Sequence, residues 1–166
     1  MAVRKVVRLP APVLSRPSAP VGPLGPEAAA LARDLVDTMR ASPACVGLAA
    51  PQIGVPLRAF VVDVTGHPKA RSCHGTFVLF DPAVILSEGA ERGREGCMSV
   101  PDLTGDVTRA TRLVLRGRTP EDEERTLEVD AFEARAVLHE MDHLDGRLFL
   151  DRVAGPSAVF PRKRYR

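Results

Sequence analysis

The chain has 166 residues, of which 45% are apolar and 4% aromatic, with no tryptophan. This length fits one domain with an aliphatic core, and no apolar run approaches the length of a membrane span, which argues against a membrane protein. The formal net charge of +2 is too close to neutral to indicate a protein that binds DNA or another nucleic acid.

The cysteines indicate a reducing compartment. Cys45, Cys73 and Cys97 are scattered without a pairing pattern, and an odd number argues against a disulfide scaffold. The N-terminal residues lack the continuous apolar segment of a secretion signal, because Pro10 and Pro12 interrupt them. We therefore expect a cytoplasmic protein.

The N-terminal part of the chain predicts an arm followed by a helix. Residues 1–25 are rich in proline and alanine, which is typical of an extended arm, with a disordered leader as the alternative. A helix is predicted from Pro26 to just before Pro43, since proline suits the first helical position and ends a helix further on. Its apolar face carries Leu31, Leu35 and Met39.

The middle of the chain predicts strands, and the C-terminal part predicts one more helix. Residues 46–54, VGLAAPQIG, predict a loop that leads toward a strand. Asp130 and Glu133 have the spacing of a capping box, and Gly146 suits a left-handed helix end, so a helix is predicted from about 131 to 145. Short aliphatic runs predict strands at 58–64, 76–80, 83–88, 112–117 and 125–130.

These elements predict an α+β fold in which antiparallel β-sheets pack around the late helix, with one further helix near the N-terminus. We expect residues 1–166 to form a single catalytic domain, with 1–25 as the arm and 154–166 as a short basic tail.

The late helix carries the pattern HEMDH at residues 139–143. Side chains four apart lie on one helix face, so His139 and His143 can share a metal ion, and Glu140 can lean toward a water bound to it. Two histidines on an ordinary polar helix face are the alternative. A structural zinc site is a second alternative, but such sites usually have four protein ligands and cysteine pairs.

A catalytic metal site needs three protein ligands and one open position. The candidates for the third ligand are His67, His74, the acidic residues and Cys97 in the segment REGCMSVPD, of which Cys97 is the best. A thiolate with two imidazoles suits zinc or ferrous iron. A buried apolar cysteine is the alternative for Cys97.

Three segments together resemble the motifs of the peptide deformylase family in order and spacing: GLAAPQIG at 47–54, EGCMS at 95–99 and HEMDH at 139–143. VVRLPAPVL near the start, FVLFDP at 77–82 and HLDGRLFLDR at 143–152 are also similar to that family. The resemblance covers about nine tenths of the chain. It implies a bacterial enzyme that removes the formyl group from the N-terminal formylmethionine of newly made proteins, so the expected partners are N-formylmethionyl peptides.

The resemblance also implies the roles of the site residues. Cys97, His139 and His143 are expected to hold one divalent metal ion, most often Fe2+ in this family, with Zn2+, Ni2+ or Co2+ as alternatives. Glu140 is expected to be the general acid and base, while Gln52 and the backbone N–H of Met98 stabilise the developing oxyanion. These roles agree with general chemistry, since a metal ion lowers the pKa of bound water toward about 7 and one oxyanion donor contributes about 100- to 1000-fold in rate.

Some positions depart from the family pattern or bear on the substrate groove. Cys45 stands where the family usually has glycine, Met98 where leucine is common, and Leu138 where many members have glutamine. If Arg135 lines the methionine pocket, its alkyl stem is expected to pack there while the guanidinium reaches solvent. The residues expected to contact substrate are Cys45, Val46, Gly47, Leu48, Glu95, Phe132, Arg135 and Ala136.

Three further expectations concern charges. In the family the acid of the EGC motif pairs with an arginine downstream, which predicts an ion pair between Glu95 and Arg109 that fixes the Cys97 loop; two exposed charges are the alternative. Asp142 is the kind of acid that could anchor a neighbouring segment or a ligand. The basic tail Arg162–Arg166 could make a weak contact with ribosomal RNA, although a solvated terminus explains it as well.

Two other functions compete with deformylation. The first is an H-E-x-x-H endopeptidase, for which a cysteine ligand is atypical. The second is a non-catalytic module that holds peptide N-termini, against which the intact Glu140 speaks.

Overall fold

The computed structural model describes residues 2–162. Within these residues the chain forms two α-helices and eight strands. In chain order they are α1 Pro26–Arg40, β1 Gly47–Ala49, β2 Ala59–Val62, β3 Phe77–Glu88, β4 Glu91–Cys97, β5 Val100–Arg109, β6 Arg112–Arg118, β7 Glu124–Asp130, α2 Ala131–Leu144 and β8 Val159–Pro161. No helix in this part of the chain is long and apolar enough to cross a bilayer.

The larger sheet has five antiparallel strands in the order β1-β2-β3-β6-β7 and separates the two helices. Successive side chains of a strand point to opposite faces. Val61 on β2 therefore packs with Leu35 of α1, whereas Phe60 packs with Val137 of α2 on the other face. The predicted apolar face of α1 is confirmed, because its three named residues are all buried.

The smaller sheet has three antiparallel strands in the order β4-β5-β8 and lies on the other side of α2. Arg109 at the end of β5 reaches Asp142 on α2, so the helix is held between the two sheets. The predicted fold class is confirmed: antiparallel sheets pack around the helix that carries the HEMDH pattern, with one N-terminal helix.

Several predicted boundaries were wrong. The two strands predicted at 76–80 and 83–88 form one strand, β3, which stays continuous through an irregularity at Asp81, where φ is 48°. The predicted loop at 46–54 contains the short strand β1. β4, β5 and β8 were not predicted, because glycine, proline and charged residues interrupt their apolar alternation.

The start of α2 also differs from the prediction. Asp130 makes no side-chain capping bond, so the predicted capping box is absent. Its carboxylate instead accepts a hydrogen bond from the backbone N of Ser72, and Glu133 accepts bonds from the Ser72 hydroxyl and the His74 backbone. Both carboxylates therefore bond the loop before β3 instead of the first turn of α2. The left-handed helix end at Gly146 is confirmed, with φ of 76°.

The N-terminal arm passes near the Cys97 turn and bonds the segments that follow β1 and β4. The backbone N of Val7 donates to the carbonyl of Gln52 at 2.8 Å, and that of Leu9 donates to the carbonyl of Ser99 at 2.9 Å. At the other end, residues 159–161 of the predicted tail form β8, which pairs with β5. The remaining tail residues, 163–166, lie outside the described residues.

Candidate active site

The sulfur of Cys97 and the imidazoles of His139 and His143 converge. One ligand atom from each lies within 4.8 Å of the others. The helix brings the two histidines together because they are one turn apart on the face that meets the smaller sheet, and β4 ends at Cys97. Cys97 Sγ is 3.4 Å from Nε2 of His143, and both residues are buried. The predicted ligand set is therefore gathered at one point.

Glu95 orients the first histidine. Its Oε1 is 2.9 Å from Nδ1 of His139. Burial by itself would raise the pKa of Glu95, but hydrogen bonds from Arg109 and His139 outweigh it and lower the pKa to about 2. Because this carboxylate stays ionised, His139 donates from Nδ1 and turns Nε2 toward the sulfur.

Arg109 links two buried acids behind the site. Its Nε and Nη2 donate to the two oxygens of Glu95, each at 2.9 Å, and its Nη1 donates to Asp142 at 2.6 Å. The predicted ion pair forms, and the alternative of two exposed charges is wrong, because the side chains of Arg109 and Glu95 are only 5% and 4% exposed. Asp142 also accepts two hydrogen bonds from Arg152 and so anchors the segment after α2.

Glu140 lies beside this cluster with an available carboxylate. The residue is buried, and Oε1 has no hydrogen-bond partner within residues 2–162. Burial raises the pKa of Glu140 to about 7, which suits a group that must take up and release a proton near neutral pH. Gly47 on β1 lies against this carboxylate, so close that a Cβ there would be 2.6 Å from Oε2.

Gln52 also lies next to the sulfur of Cys97. Its Oε1 accepts a hydrogen bond from the backbone N of Ala49 at 3.0 Å, which fixes the amide so that Nε2 faces the site. Nε2 lies 3.4 Å from Cys97 Sγ and 3.1 Å from the hydroxyl of Ser99. Met98 is the first residue of the two-residue turn that joins β4 to β5, directly after Cys97.

A cavity of about 1310 Å³ opens onto these groups. Of the residues predicted to contact substrate, seven line it: Cys45, Val46, Gly47, Glu95, Phe132, Arg135 and Ala136. Leu48 is not in this lining, because β1 points its side chain to the opposite face, where it is fully buried against α1. Cys45 donates to the carbonyl of Gly47, and burial raises the pKa of the Cys45 thiol to about 11, so it stays protonated.

The prediction that the Arg135 guanidinium reaches solvent was wrong. Its Nη1 donates to Glu95 and to the carbonyl of Val107, each at 2.8 Å, and its Nη2 donates to the carbonyl of Glu91 at 2.7 Å. The side chain is only 16% exposed. Arg135 therefore ties α2 to the smaller sheet, and the acceptors that its five donors find there explain why it turns inward.

Neither of the other histidines joins the ligand cluster. His74 makes a 2.7 Å contact with Glu133 at the start of α2. His67 lies at the cavity, with its ring centroid 3.7 Å from that of Phe132. Both were open candidates for the third ligand, and the structure places both away from Cys97.

Four residues near the site were not predicted. Ser99 contacts Gln52, Arg152 holds Asp142, and Phe160 and Arg162 line the cavity from the C-terminal strand region. Ser99 belongs to the EGCMS motif and could have been noticed there. Arg152 ends the segment HLDGRLFLDR and could have been noticed there as well. Phe160 and Arg162 lie far along the chain from Cys97, so no local pattern marks them as neighbours of the site.

The donor set fits a divalent cation. Burial lowers the pKa of His143 well below its ordinary value, so this imidazole is in the neutral form that binds metals. Burial opposes the protonation of His139, yet Cys97, Glu95 and Glu140 raise its pKa well above the ordinary value, so the cluster attracts positive charge. Among the described residues the cluster has three potential protein ligands, which matches a catalytic site better than a four-ligand structural site.

A buried carboxylate beside a Cys-His-His cluster at the base of a cleft defines a metal-dependent hydrolase. Comparison with known proteins identifies the kind of hydrolase. The sequence model of the polypeptide deformylase family matches residues 3–158, so the chain belongs to that family and is an enzyme.

Individual relatives agree with this assignment. A peptide deformylase from Acidothermus cellulolyticus is 44% identical over 153 residues, covering 92% of this chain and 80% of that protein. One from Desulforudis audaxviator is 42% identical over 164 residues, covering 98% of this chain and 99% of that protein. The crystal structure of a class I type b peptide deformylase from Acinetobacter baumannii with Met-Ala-Ser bound is similar at a TM-score of 0.84 and 30% identity, covering 92% of this chain and all of that one. The endopeptidase and binding-module alternatives are not favoured.

Proposed function

We propose that this enzyme hydrolyses the formyl amide of N-formylmethionyl peptides with one divalent metal ion held by Cys97, His139 and His143. The observation that carries the proposal is the convergence of these three side chains beside Glu140 and Gln52 at one end of a cleft. A bound divalent cation there would lower the pKa of a water molecule and polarise a carbonyl.

In this proposal Glu140 moves the proton. It would take a proton from the attacking water and give it to the leaving amine of the methionine, which releases formate. Its pKa of about 7 suits both halves of that task, since the carboxylate must be a base first and an acid afterwards. Oε1 supports this role, because it makes no hydrogen bond to the described residues and can accept one from a water molecule.

Gln52 and Met98 would stabilise the oxygen that becomes negative as the tetrahedral carbon forms. The Gln52 amide is held by Ala49 and presents an uncharged donor toward the sulfur side of the site. Met98 supplies a backbone N–H from the turn next to Cys97, which any residue but proline can provide.

The peptide would lie as an added strand between the walls of the cleft. β1 is an edge strand of the larger sheet and β4 is one of the smaller sheet, and residues of both line the cavity. Edge strands offer backbone N–H and C=O groups to an extended peptide. The methionine side chain would then enter the part of the cavity formed by Val46, Phe132 and Ala136. The bound Met-Ala-Ser of the Acinetobacter baumannii enzyme supports a peptide of this kind.

We propose Fe2+ as the ion bound in the cell, with Zn2+, Ni2+ or Co2+ as working substitutes, since a thiolate and two imidazoles suit all of them. The proposed location is the bacterial cytoplasm, where new chains start with formylmethionine. The ribosome contact remains a prediction, because four residues of the basic tail lie outside the described residues.

The direct test is the release of formate from formyl-Met-Ala-Ser by protein purified without oxygen and loaded with Fe2+, Ni2+, Co2+ or Zn2+. We expect turnover of the formyl peptide and none of acetyl-Met-Ala-Ser, while casein stays intact. Failure to release formate with any of the four ions, in protein whose metal content is measured as one per chain, would overturn the proposal.

A further inference from the structure

The outer face of the smaller sheet carries two arginines at the rim of the cleft. β4, β5 and β8 place Gly96, Thr104 and Phe160 side by side in one cross-strand row. Side chains alternate along a strand, so Arg94, two residues before Gly96, lies on the same face as this row. Arg162 follows the last residue of β8, and its guanidinium lies where a Cβ of Gly96 would point, so it is on this face too. All five residues line the cavity.

Gly96 makes room for the guanidinium of Arg162. A Cβ at Gly96 would collide with Nη2 of Arg162, so the guanidinium lies directly over the backbone next to Cys97. The backbone N of Arg162 is fixed by a hydrogen bond to the carbonyl of Asp102 at 2.9 Å. Its guanidinium has no hydrogen-bond or ion-pair partner within the described part of the chain. The Arg162 guanidinium therefore lies beside Gly96, the residue before Cys97, and its N–H groups have no acceptor among the described residues.

Arg94 adds a second positive charge to the same rim. Its Nε donates to Asp106 at 2.7 Å, and its guanidinium lies over the Phe160 ring, 3.9 Å from the ring centroid. Glu95 points to the opposite face of β4, where Arg109 and Arg135 already neutralise it. Asp106 offsets the charge of Arg94, so the positive charge at this rim that has no ion-pair partner among the described residues is that of Arg162.

An extended peptide beside β4 would present its side chains alternately to the two faces of the smaller sheet. In the proposed binding mode the methionine side chain would enter the cavity on the α2 side, which Phe132 and Ala136 line. The next side chain must then point to the outer face, where Arg162 lies. We infer that Arg162, supported by Arg94, binds a carboxylate on the residue that follows methionine, so that the enzyme prefers formyl-Met-Asp and formyl-Met-Glu sequences. This inference rests on the proposed deformylation and on the extended peptide.

The test compares matched peptides with blocked C-termini. We expect kcat/KM for formyl-Met-Asp-Ser-amide to exceed that for formyl-Met-Asn-Ser-amide by about 3- to 5-fold, the size of an exposed ion pair of up to about 1 kcal/mol. The ratio is expected to fall to about one in Arg162→Ala and to be partly kept in Arg162→Lys. It is also expected to shrink in high salt, because the pair is exposed.

Two further peptides locate the carboxylate. Formyl-Met-Asn-Asp-amide moves the acid to the third residue, and formyl-Met-Asn-Ser with a free C-terminus tests the terminal carboxylate. The matched control is Arg116→Ala, which removes an exposed arginine from the larger sheet, away from the cavity, and should keep the full ratio.

A wild-type ratio of one, a ratio that Arg162→Ala leaves intact, or a ratio that Arg116→Ala lowers equally would overturn the inference. A gain only with the third-residue acid or the free terminus would overturn it too, because the carboxylate would then lie elsewhere. Turnover of the neutral peptide tests the proposed deformylation separately, so the two failures are distinguishable.

Discussion

Gly47→Ala tests how tightly the position of Glu140 is controlled. The added Cβ would lie 2.6 Å from Oε2, 3.1 Å from Cδ and 3.2 Å from Cγ of Glu140, whereas ordinary contact begins at 3.4 Å. The carboxylate must therefore retreat by about 0.8 Å, the difference between 3.4 Å and 2.6 Å. A misplacement of about 1 Å in an active site can cost about 100-fold in rate.

We expect kcat to fall about 10- to 100-fold in Gly47→Ala, with a much smaller change in KM. Stability should change by about 1 kcal/mol or less. The crowding costs about that much, while replacing glycine by alanine restricts the unfolded chain and offsets it by about 0.4–1 kcal/mol. Loss of rate without loss of fold is the signature of a displaced catalytic group.

The assay follows formate release over a range of formyl-Met-Ala-Ser concentrations, alongside metal analysis and urea unfolding. Gly155→Ala is the matched control, since nothing lies within 4 Å of a Cβ there, and it should match wild type in all three measurements. A kcat for Gly47→Ala within twofold of wild type, at full metal content, would show that the contact does not control the carboxylate.

Other predictions follow from the same contacts. Glu140→Ala should abolish turnover and keep one metal ion per chain, as measured by formate release and metal analysis; full activity would contradict the assignment. In metal-free protein, the raised pKa of Glu140 means that the folded state binds a proton more tightly than the unfolded chain, so stability should fall as pH rises from about 4.5 to about 7. When the free energy of unfolding is measured in urea across that window, its decrease with pH should be smaller in Glu140→Gln than in wild type. An equal decrease in both proteins would refute the reasoning. Arg109→Met should cost about 1.5–3 kcal/mol in the free energy of unfolding, because Glu95 and Asp142 lose their shared buried partner but keep Arg135 and Arg152; a loss below about 1 kcal/mol would contradict this. Deleting residues 2–9 should lower kcat/KM of the folded protein, since the backbone N–H groups of this segment bond the carbonyls of the two segments that flank the sulfur. A kcat/KM equal to that of the full chain would show that these bonds do not position the site.

The helix motif was readable from sequence because its geometry is local. Positions four apart share a helix face whatever the rest of the fold does, so His139 and His143 were predicted as neighbours without a structure. Cys97 lies 42 residues before His139, and no local period connects them. Its segment made it the best of several candidates for the third ligand, the family resemblance then implied the same role, and the structure brings the sulfur to the histidines.

The smaller sheet was missed for a physical reason. β4 reads ERGREGC and β5 reads VPDLTGDVTR, so glycine, proline and charges interrupt the alternation that marks a strand. These strands are stabilised by their pairing with each other and by the buried ion pairs behind Glu95, which are tertiary interactions. Intrinsic propensity does not report such interactions.

Side-chain direction was the weakest part of the site prediction. Leu48 was predicted to contact substrate together with Gly47, but strand alternation sends the two to opposite faces. That rule could not be applied from sequence, because residues 46–54 were predicted to form a loop. Arg135 was expected to reach solvent because its acceptors, Glu95 and three backbone carbonyls, come from strands that were not predicted.

The arm that bonds both Gln52 and Ser99 ties together the two sides between which a substrate would lie. We therefore expect the width of this cleft to stay nearly the same when a ligand binds, without a closing motion. Inhibitors of that width should bind without a slow rearrangement of the backbone. Their residence times should depend on how well they fill the cleft.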